Sequence, residues 1–390
     1  MFSIENFYYL LYHHLLKPLG IKDGMFTKFG SLDFKDFCVS RYATSCFLDI
    51  FRLPKENFCF YFDQEPLHAD TDSINRLIPF TPSVRCRILA NSEVSALKNH
   101  ICKENNYQDW YYFFHGFAAL GWYRDSKYFD QDIDWNRPYI SLNRLHVNDR
   151  SYRLNLVARL AEHKLLDQGH VSLHLGNTEY QSWQQELKNP NTKLSRDACQ
   201  LIIKNCKHPL TLDKTDSTGN MSADFGHQEF ELWKSGLWHI VTETVFYHDK
   251  LHLTEKIFKP IVSQRPFMLA AAPGNLAYLK SYGFRTFDQW IDESYDKIQD
   301  HDCRLQAIVD QTQRICAMSH VELRQMHQDM QSVLLHNFSH FFLGFKHQIV
   351  DELVDNFECA IKLWNQGRVD GRELPLQNIN FDHVKQILLQ

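Results

Sequence analysis

The sequence lacks the patterns that identify several classes of protein. Its ten cysteines are scattered without a C-x-x-C pair, which argues against a zinc ribbon and a dithiol redox centre. No run of about 18 apolar residues is present to span a bilayer. An H-E-x-x-H pattern, an internal repeat and a low-complexity tract are missing as well. The absences favour a globular protein without a transmembrane segment.

A strong excess of charge of one sign is also missing. The chain has 42 basic and 47 acidic residues, a net charge of -5. A dominant electrostatic attraction to nucleic acid or to an anionic membrane is therefore not indicated, although a local basic patch is compatible with it. What the chain does have is 44% hydrophobic and 14% aromatic residues over 390 positions, enough for two domains with ring-rich cores.

The N-terminal segment and the cysteines predict a cytoplasmic protein. The first 19 residues contain no basic n-region, so we expect no signal peptide. Cysteines inside apolar runs behave as small hydrophobes, and free thiols suit the reducing cytosol. The first helix is rich in apolar and aromatic residues, namely Phe7, Tyr8, Tyr9 and Leu11. We favour simple packing of this helix on the protein, with peripheral membrane contact as the alternative.

A strand–loop–helix–strand pattern lies at the centre of the C-terminal half. Residues 238–243 are rich in β-branched and aromatic residues, and residues 266–270 form a short apolar run, so both predict strands. Thr254 is a good N-cap residue, and apolar residues at helical spacing predict a helix that begins at Glu255. This is the βαβ unit of a parallel sheet, whose ligands bind outside the carboxyl ends of the strands. That edge presents Glu243, Thr254, Glu255 and Lys256, which suit a ribose and its phosphates.

Two carboxylates follow a predicted strand in the N-terminal half. Residues 58–62 form a continuous apolar run typical of a strand buried on both faces, and Asp63 and Glu65 come directly after it, before Pro66. They are candidates for a catalytic base. The alternative is that one of them caps the following helix, and the pattern does not decide between the two.

Other candidate residues lie in less specific patterns. Residues 139–143 predict a strand and residues 149–166 a helix, with Arg150 and Arg153 in its first turns. An arginine there can contact a diphosphate through two of its guanidinium nitrogens. Most such arginines, however, are surface residues. The D-x-D patterns at 70–72 and 132–134 are better explained by solvated loops than by a metal site. His248 and His252 precede the helix, and we interpret them as satisfied or surface histidines.

The predicted fold class is α/β, with two domains of parallel strands and helices, followed by C-terminal helices. Residues 125–138 show little periodicity and predict a linker. We therefore expect one domain at 1–135 and a second at 136–345. Residues 346–390 are predicted to be helices that pack on the domains.

These residues resemble the nucleotide-sugar glycosyltransferases of the GT-B architecture, specifically the α1,3-fucosyltransferase family. In that family a strand with a glutamate precedes a short loop and a Tyr/Phe-Val-Thr-Glu-Lys segment that opens a helix. Glu243 and the segment Leu253-Thr254-Glu255-Lys256 are similar to it. The resemblance implies that Glu255 holds the ribose hydroxyls and that Lys256 holds the donor phosphates.

Two further matches extend the resemblance. The family has a strand that ends in Ser or Asn and then an arginine with apolar residues at +3 and +7, a pattern that Asn143 and Arg153 fit. This implies that Arg153 clamps the diphosphate. A glutamate after an aromatic strand and near a proline serves the family as general base, which implies that role for Glu65, with Asp63 as its rival.

The sequence also departs from the family. Pro260 stands inside the predicted helix, where the family has none, and should kink it and free the carbonyl of Lys256. Residues 283–296 are more similar to glycosyltransferase-like proteins of large bacteriophages and bacteria, so fucose is not implied.

The resemblance implies two Rossmann-like domains facing a cleft (the GT-B arrangement), with an acceptor-side domain at 1–135 and a nucleotide-sugar-binding domain at 136–345. It also implies an inverting glycosyltransferase that moves a sugar from a nucleotide-diphosphate donor to a hydroxyl acceptor, with a glycan as the favoured acceptor. The donor is a co-substrate, and neither a metal nor another cofactor is expected. Three alternatives remain: a glycosyltransferase that modifies hydroxylated bases in DNA, a non-catalytic protein that binds sugar nucleotides, and an unrelated metal enzyme that uses the histidines.

Overall fold

The computed structural model shows a mixed α/β protein with small parallel sheets. It describes residues 4–20, 58–63, 86–104, 107–143, 148–173, 188, 195–205, 227–366 and 373–390. The contacts divide the chain into two compact units: unit 1 is Met1–Gly121 with Phe345–Gln390, and unit 2 is Trp122–Gly344. The sequence prediction placed the boundaries at 135 and 345. In the structure the first division comes after residue 121, and the C-terminal helices belong to unit 1.

Unit 1 contains a three-stranded parallel sheet in the order β1-β2-β4. Its strands are β1 (Phe58–Asp63), β2 (Cys86–Asn91) and β4 (Tyr107–Tyr111), and the two-residue strand β3 (Val94–Ser95) follows β2 in the chain. Asp63 pairs with Asn91, and Asn91 with Tyr111, so the carboxyl ends of all three strands meet at one edge.

Helices from both ends of the chain complete unit 1. The long helix α12 (Lys346–Gln366) lies against β4. The Trp110 indole of β4 donates a hydrogen bond to the carbonyl of Leu353 at 3.0 Å, and Asn356 of α12 donates to the carbonyl of Tyr111 at 3.1 Å. The helices of unit 1 are α1 (Ile4–Leu11), a π-helix (Tyr12–Leu16), a 3-10 turn (Lys17–Leu19), α2 (Ala96–Glu104), α3 (Phe114–Trp122), α12 (Lys346–Gln366), a 3-10 turn (Leu376–Asn378) and α13 (Phe381–Leu389).

Two features of unit 1 bear on the sequence analysis. Phe7 and Leu11 of α1 are buried, and the Phe7 ring packs on Phe117 with 4.7 Å between centroids, as the packing interpretation expects. The sequence predicts a strand followed by a turn at Gly116, but Gly116 lies inside α3. A Cβ there would come within 2.9 Å of the Phe345 ring, so glycine serves close packing rather than a turn.

Unit 2 is organised around a four-stranded parallel sheet in the order β6-β5-β7-β9. These strands are β5 (Arg137–Asn143), β6 (His170–Leu173), β7 (Gly236–Thr242) and β9 (Phe267–Ala270), and the two-residue β8 (Lys250–Leu251) lies between β7 and β9 in the chain. Every residue of β7 and β9 is buried. A strand covered on both faces has to be largely apolar, which explains the apolar run at 266–270 and the β-branched and aromatic residues at 238–243.

Helices of unit 2 bury amphipathic faces against this sheet. α4 (Tyr152–Glu162) begins nine residues after the end of β5 and buries Leu154, Leu156 and Leu160. α8 ends before Gly283, whose φ of 84° is the left-handed conformation expected of a residue that terminates a helix. The helices are α4 (Tyr152–Glu162), α5 (Arg196–Asn205), α6 (His227–Ser235), α7 (Phe258–Val262), α8 (Asn275–Ser281), α9 (His301–Cys316), α10 (His320–Asp329) and α11 (Gln331–His340), with 3-10 turns at Ser126–Tyr128, Asn148–Arg150, Leu166–Gln168, Glu255–Ile257 and Glu293–Lys297 and a π-helix at Phe341–Phe345. Within the described ranges, no helix has the length and apolar character that crossing a bilayer requires.

Buried cations hold the segment that precedes β5. Lys234 Nζ donates to the carbonyl of Gln131 at 2.5 Å, and Arg265 donates to that of Ile133 at 2.7 Å. Asp134, the second carboxylate of one D-x-D pattern, pairs with Arg324 at 2.5 Å. Lys234 is only 1% exposed, and burial, followed by the Arg265 charge, lowers its pKa to about 7.

Replacement of Lys234 should change how stability depends on pH. Because the folded-state pKa is lowered, charged Lys234 destabilises the fold below pH 7, and this effect is relieved as pH rises from about 7 towards the ordinary value of 10.5. We expect the free energy of unfolding of Lys234→Met, relative to the native protein, to fall by about 2 kcal/mol between pH 6 and pH 9, measured by urea denaturation. Lys280→Met, at an exposed position, is the control, and a difference that is constant with pH would contradict the assignment.

Candidate functional site

The order of the strands in unit 2 changes direction between β5 and β7. The chain proceeds from β5 outward to β6 and then returns to the other side of β5, from β7 to β9. In open parallel sheets, ligands bind outside the carboxyl ends of the strands at such a reversal. Asn143 ends β5 and Glu243 directly follows β7, so two of the predicted site residues flank this point.

Thr254 caps a short helical segment, as the sequence predicts. Its hydroxyl accepts a hydrogen bond from the Lys256 amide at 3.4 Å, and a 3-10 turn, Glu255–Ile257, begins there. The α-helical hydrogen bonding starts only with α7, at Phe258. Pro260 has no N–H to donate to the carbonyl of Lys256, which is the bond a continuous α-helix would need. The α-helix thus begins later than predicted, and Pro260 falls in its first turn, where a missing N–H is tolerated. The predicted kink stays a prediction.

Glu243 is the central buried charge of the edge. One carboxylate oxygen, Oε2, accepts hydrogen bonds from the Thr254 amide at 3.2 Å and from the Thr254 hydroxyl. The other oxygen, Oε1, has no hydrogen-bond partner among the described residues, although the side chain is fully buried. Burial raises the pKa of Glu243, against the opposing effects of the Lys256 charge and the Thr254 bonds. A buried, half-bonded carboxylate costs folding free energy, and such groups concentrate at functional sites.

Lys256 and Glu255 are the side chains of this group that solvent reaches. Lys256 Nζ donates to Glu255 Oε1 at 3.0 Å and to the Thr254 hydroxyl at 3.1 Å. The Lys256 side chain is 30% exposed and that of Glu255 15%. Lys256 is thus a cation, and Glu255 a carboxylate, that a ligand at this edge can reach.

Asn143 ties the ends of two strands together. Its side-chain oxygen accepts a hydrogen bond from the Thr242 hydroxyl at 3.0 Å, and its amide donates to the Ser141 hydroxyl at 3.0 Å. The residue is fully buried. In the structure Asn143 thus fixes β5 against β7, and its predicted contact with the donor stays a prediction.

Arg153 has a structural contact that the sequence did not suggest. The residue is 3% exposed, and its Nη2 donates to the carbonyls of Thr242 and Glu243 at 2.9 and 3.0 Å. The Tyr152 hydroxyl donates to the same Glu243 carbonyl at 2.6 Å. Arg153 therefore holds the end of β7 in place, and its role as a diphosphate clamp stays a prediction.

Polar side chains also hold the loop between β7 and Thr254. Arg304 Nη2 donates to the carbonyl of Phe246 at 2.5 Å. Asn275 accepts from the amide of His252 at 3.0 Å and donates to the carbonyl of Lys250 at 2.9 Å. Sequence analysis missed Asn275, Arg304 and Tyr152, because a side chain that binds distant carbonyls has no characteristic neighbours in the chain.

The predicted catalytic carboxylates are not placed by the structure. Asp63 ends β1, but its side chain lies outside what is described. Glu65 and the D-x-D pattern at 70–72 also lie outside the described residues. The role of general base for Glu65, or for its rival Asp63, stays a prediction.

The two histidines considered for a metal site have separate surroundings. His248 Nε2 lies 3.1 Å from Asp149 Oδ1, while His252 is fully buried. Across the described part of the chain, no group of three or more His, Cys, Asp and Glu side chains is arranged to hold a metal ion. The structure thus offers no support for the metal-enzyme alternative in that part.

Replacement of the buried carboxylate should stabilise the protein. Because the folded-state pKa of Glu243 is raised, ionisation costs stability as pH rises from its ordinary value of 4.5 through the folded-state value. We expect Glu243→Gln to be more stable than the native protein at pH 8 by about 1–3 kcal/mol, with a smaller difference at pH 5. Melting temperatures at the two pH values measure this, with the exposed Glu162→Gln as the control. A loss of stability that is equal at both values would show that the carboxylate is fully compensated.

Comparison of the chain with protein-family models, curated proteins and solved structures finds no match.

Proposed function

We propose that this protein is a glycosyltransferase that moves a sugar from a nucleotide-diphosphate donor to a hydroxyl acceptor with inversion at the anomeric carbon. The observation that carries the proposal is the arrangement of Glu243, Thr254, Glu255 and Lys256 at the carboxyl edge of the unit 2 sheet. A buried carboxylate, a capped turn and an accessible cation meet where the strand order reverses. The same residues carry the resemblance to the α1,3-fucosyltransferase family.

The donor contacts follow from charge and exposure. Glu255 accepts hydrogen bonds from the ribose hydroxyls, and Lys256 leaves its ion pair with Glu255 to contact the phosphates. As the bond to the leaving group breaks, negative charge grows on the phosphate oxygens, and a cation already in place stabilises it without reorganisation. Arg153 supports this edge from behind by holding the Glu243 carbonyl.

The proposal includes a Rossmann-like fold for both units. Each unit has a parallel sheet with helices, as a Rossmann-like domain does, and unit 2 also has the reversal of strand order. Unit 2 binds the nucleotide sugar. Unit 1 supplies the acceptor side, with Glu65, or Asp63 in its place, taking the proton from the acceptor hydroxyl. The favoured acceptor is a glycan.

Lys256→Ala should weaken donor binding without unfolding the protein. A ligand at about 100 times its Kd stabilises the native state by about 2.7 kcal/mol, so a melting-temperature screen against UDP, GDP, ADP, CDP and their sugars detects the donor. Loss of a charged hydrogen bond costs about 1.5–3 kcal/mol, which is about a 10- to 100-fold rise in Kd.

The control is Lys280→Ala in the same unit. Lys280 is 43% exposed and pairs with Asp288, away from Thr254 and Lys256. Its variant should bind the nucleotide as the native protein does. Equal affinities for the native protein and Lys256→Ala would remove Lys256 from the site, and no stabilisation by any of the nucleotides would count against the proposed function.

Glu65→Gln should bind the donor normally and lose transfer. A general base contributes about 10²–10⁴-fold to the rate, and glutamine keeps the size of the side chain without its basicity. Donor affinity and turnover of the radiolabelled sugar nucleotide are measured in parallel, with Asp63→Asn as the rival variant. Full turnover by Glu65→Gln together with loss in Asp63→Asn would move the role to Asp63. Hydroxymethylated DNA joins the glycans in the acceptor set, and transfer to DNA alone would favour the DNA-modifying alternative.

A further inference from the structure

A histidine–aspartate pair joins the two loops at the reversal of strand order in unit 2. His248 follows β7, and Asp149 lies in the 3-10 turn that leads from β5 into α4. His248 Nε2 and Asp149 Oδ1 are 3.1 Å apart. The pair thus connects the elements that follow β5 and β7, at the position where ligands of open parallel sheets bind.

The pair leaves one imidazole nitrogen available. Nε2 faces the carboxylate, while Nδ1 has no hydrogen-bond partner within the described ranges and is not enclosed. The side chains of His248 and Asp149 are 24% and 31% exposed. A carboxylate on one nitrogen holds the ring in one orientation and leaves the other nitrogen available to a ligand.

Neighbouring contacts fix the position of the ring. The Tyr247 hydroxyl lies 2.9 Å from the Ser151 hydroxyl, which makes a second link between the same two loops. Arg304 holds the Phe246 carbonyl, and the His248 carbonyl accepts a hydrogen bond from the Lys250 amide at 3.0 Å. The pair also lies beside the start of α4, an 11-residue helix whose first amides and dipole favour an anion.

We propose that His248, oriented by Asp149, is the acid that gives a proton from Nδ1 to the leaving phosphate of the donor. The inference rests on the proposed function of the same edge. The bond between the anomeric carbon and the phosphate oxygen breaks, its electron pair stays on that oxygen, and the Nδ1 proton moves to it. The acceptor oxygen bonds to the anomeric carbon, and its own proton goes to the general base of the proposed function. Asp149 acts through His248 and is a positioning residue.

Several other groups near the pair titrate or carry charge. On the same loop these are Tyr247, Asp249 and Lys250. From α9, His301 packs against the Tyr247 ring with 5.1 Å between centroids. Burial raises the pKa of Tyr247, and the negative charges of Asp302 and Asp149 add to this effect. Variants of His248 therefore have to be compared with another histidine variant at each pH.

The first test measures binding and needs no knowledge of the sugar. Inorganic pyrophosphate, UDP and GDP are titrated into the native protein, His248→Gln and His336→Gln at pH 6.0 and pH 8.5. A protonated imidazole donates a charged hydrogen bond to phosphate, so we expect the native protein to lose about tenfold more affinity than His248→Gln between the two pH values, equivalent to about 1.4 kcal/mol. His336 contacts the Gly283 carbonyl at 2.9 Å, and its variant should follow the native protein.

The outcomes separate this inference from the proposed function. If the native protein binds these phosphates, Lys256→Ala weakens binding and His248→Gln keeps the native pH dependence, the role of His248 is wrong and the proposed function stands. If the native protein binds none of them, both fail. Melting temperatures near that of the native protein confirm that the variants fold.

The second test concerns the reaction and the role of Asp149. With the donor that the screen identifies, His248→Gln should lower kcat about 10²–10⁴-fold with a smaller change in KM, and should remove the fall in rate at high pH. Asp149→Asn, which removes the group that orients the ring, should also lower kcat, and Asp149→Glu should restore it in part. A rate in His248→Gln with the native pH profile would overturn the assignment.

Discussion

The hydrogen bonds between Thr254 and the buried carboxylate of Glu243 are the constraint on which the edge of unit 2 depends. They join the end of β7 to the start of the capped turn, and so fix where Glu255 and Lys256 stand. One carboxylate oxygen is left without a partner in the described residues, at a cost that packing elsewhere must offset. Folding alone would favour a neutral side chain here. The cost is understandable if the edge serves a ligand.

The backbone around this carboxylate is held at several points. Arg153 and Tyr152 bind the Glu243 carbonyl, Arg304 binds that of Phe246, and Asn275 binds the backbone on either side of β8. Each of these donors is buried, so each bond acts in a medium where an unmet carbonyl is expensive. The loop that leads to Thr254 is therefore already in position before any ligand binds. A preorganised edge can apply its charges in a transition state without first ordering its own chain.

Local patterns identified some of these residues and not others. Thr254 was recognised as a cap because capping depends on a side chain and an amide two residues away. Pro260 was recognised as a residue that a longer α-helix from Glu255 cannot accommodate, because its missing N–H acts within one turn. Arg153 was recognised as important, but it donates hydrogen bonds to the carbonyls of Thr242 and Glu243, 89 and 90 residues away in the chain. Gly116 was placed in a turn, whereas it makes room for the ring of Phe345. Contacts at such separations leave no periodic trace in a single sequence.

The sequence by itself determined the α/β class, the buried strands of unit 2 and the cap at Thr254, because periodicity and capping are set by neighbours along the chain. Only the tertiary structure decided the order β6-β5-β7-β9, since any strand with two apolar faces can occupy any inner position of a parallel sheet. That order brings Asn143 beside Thr242 and Asp149 beside His248. The tertiary structure also shows that Glu243 is buried and that only one of its carboxylate oxygens is hydrogen-bonded within the described residues. Both properties depend on the residues that pack around Glu243.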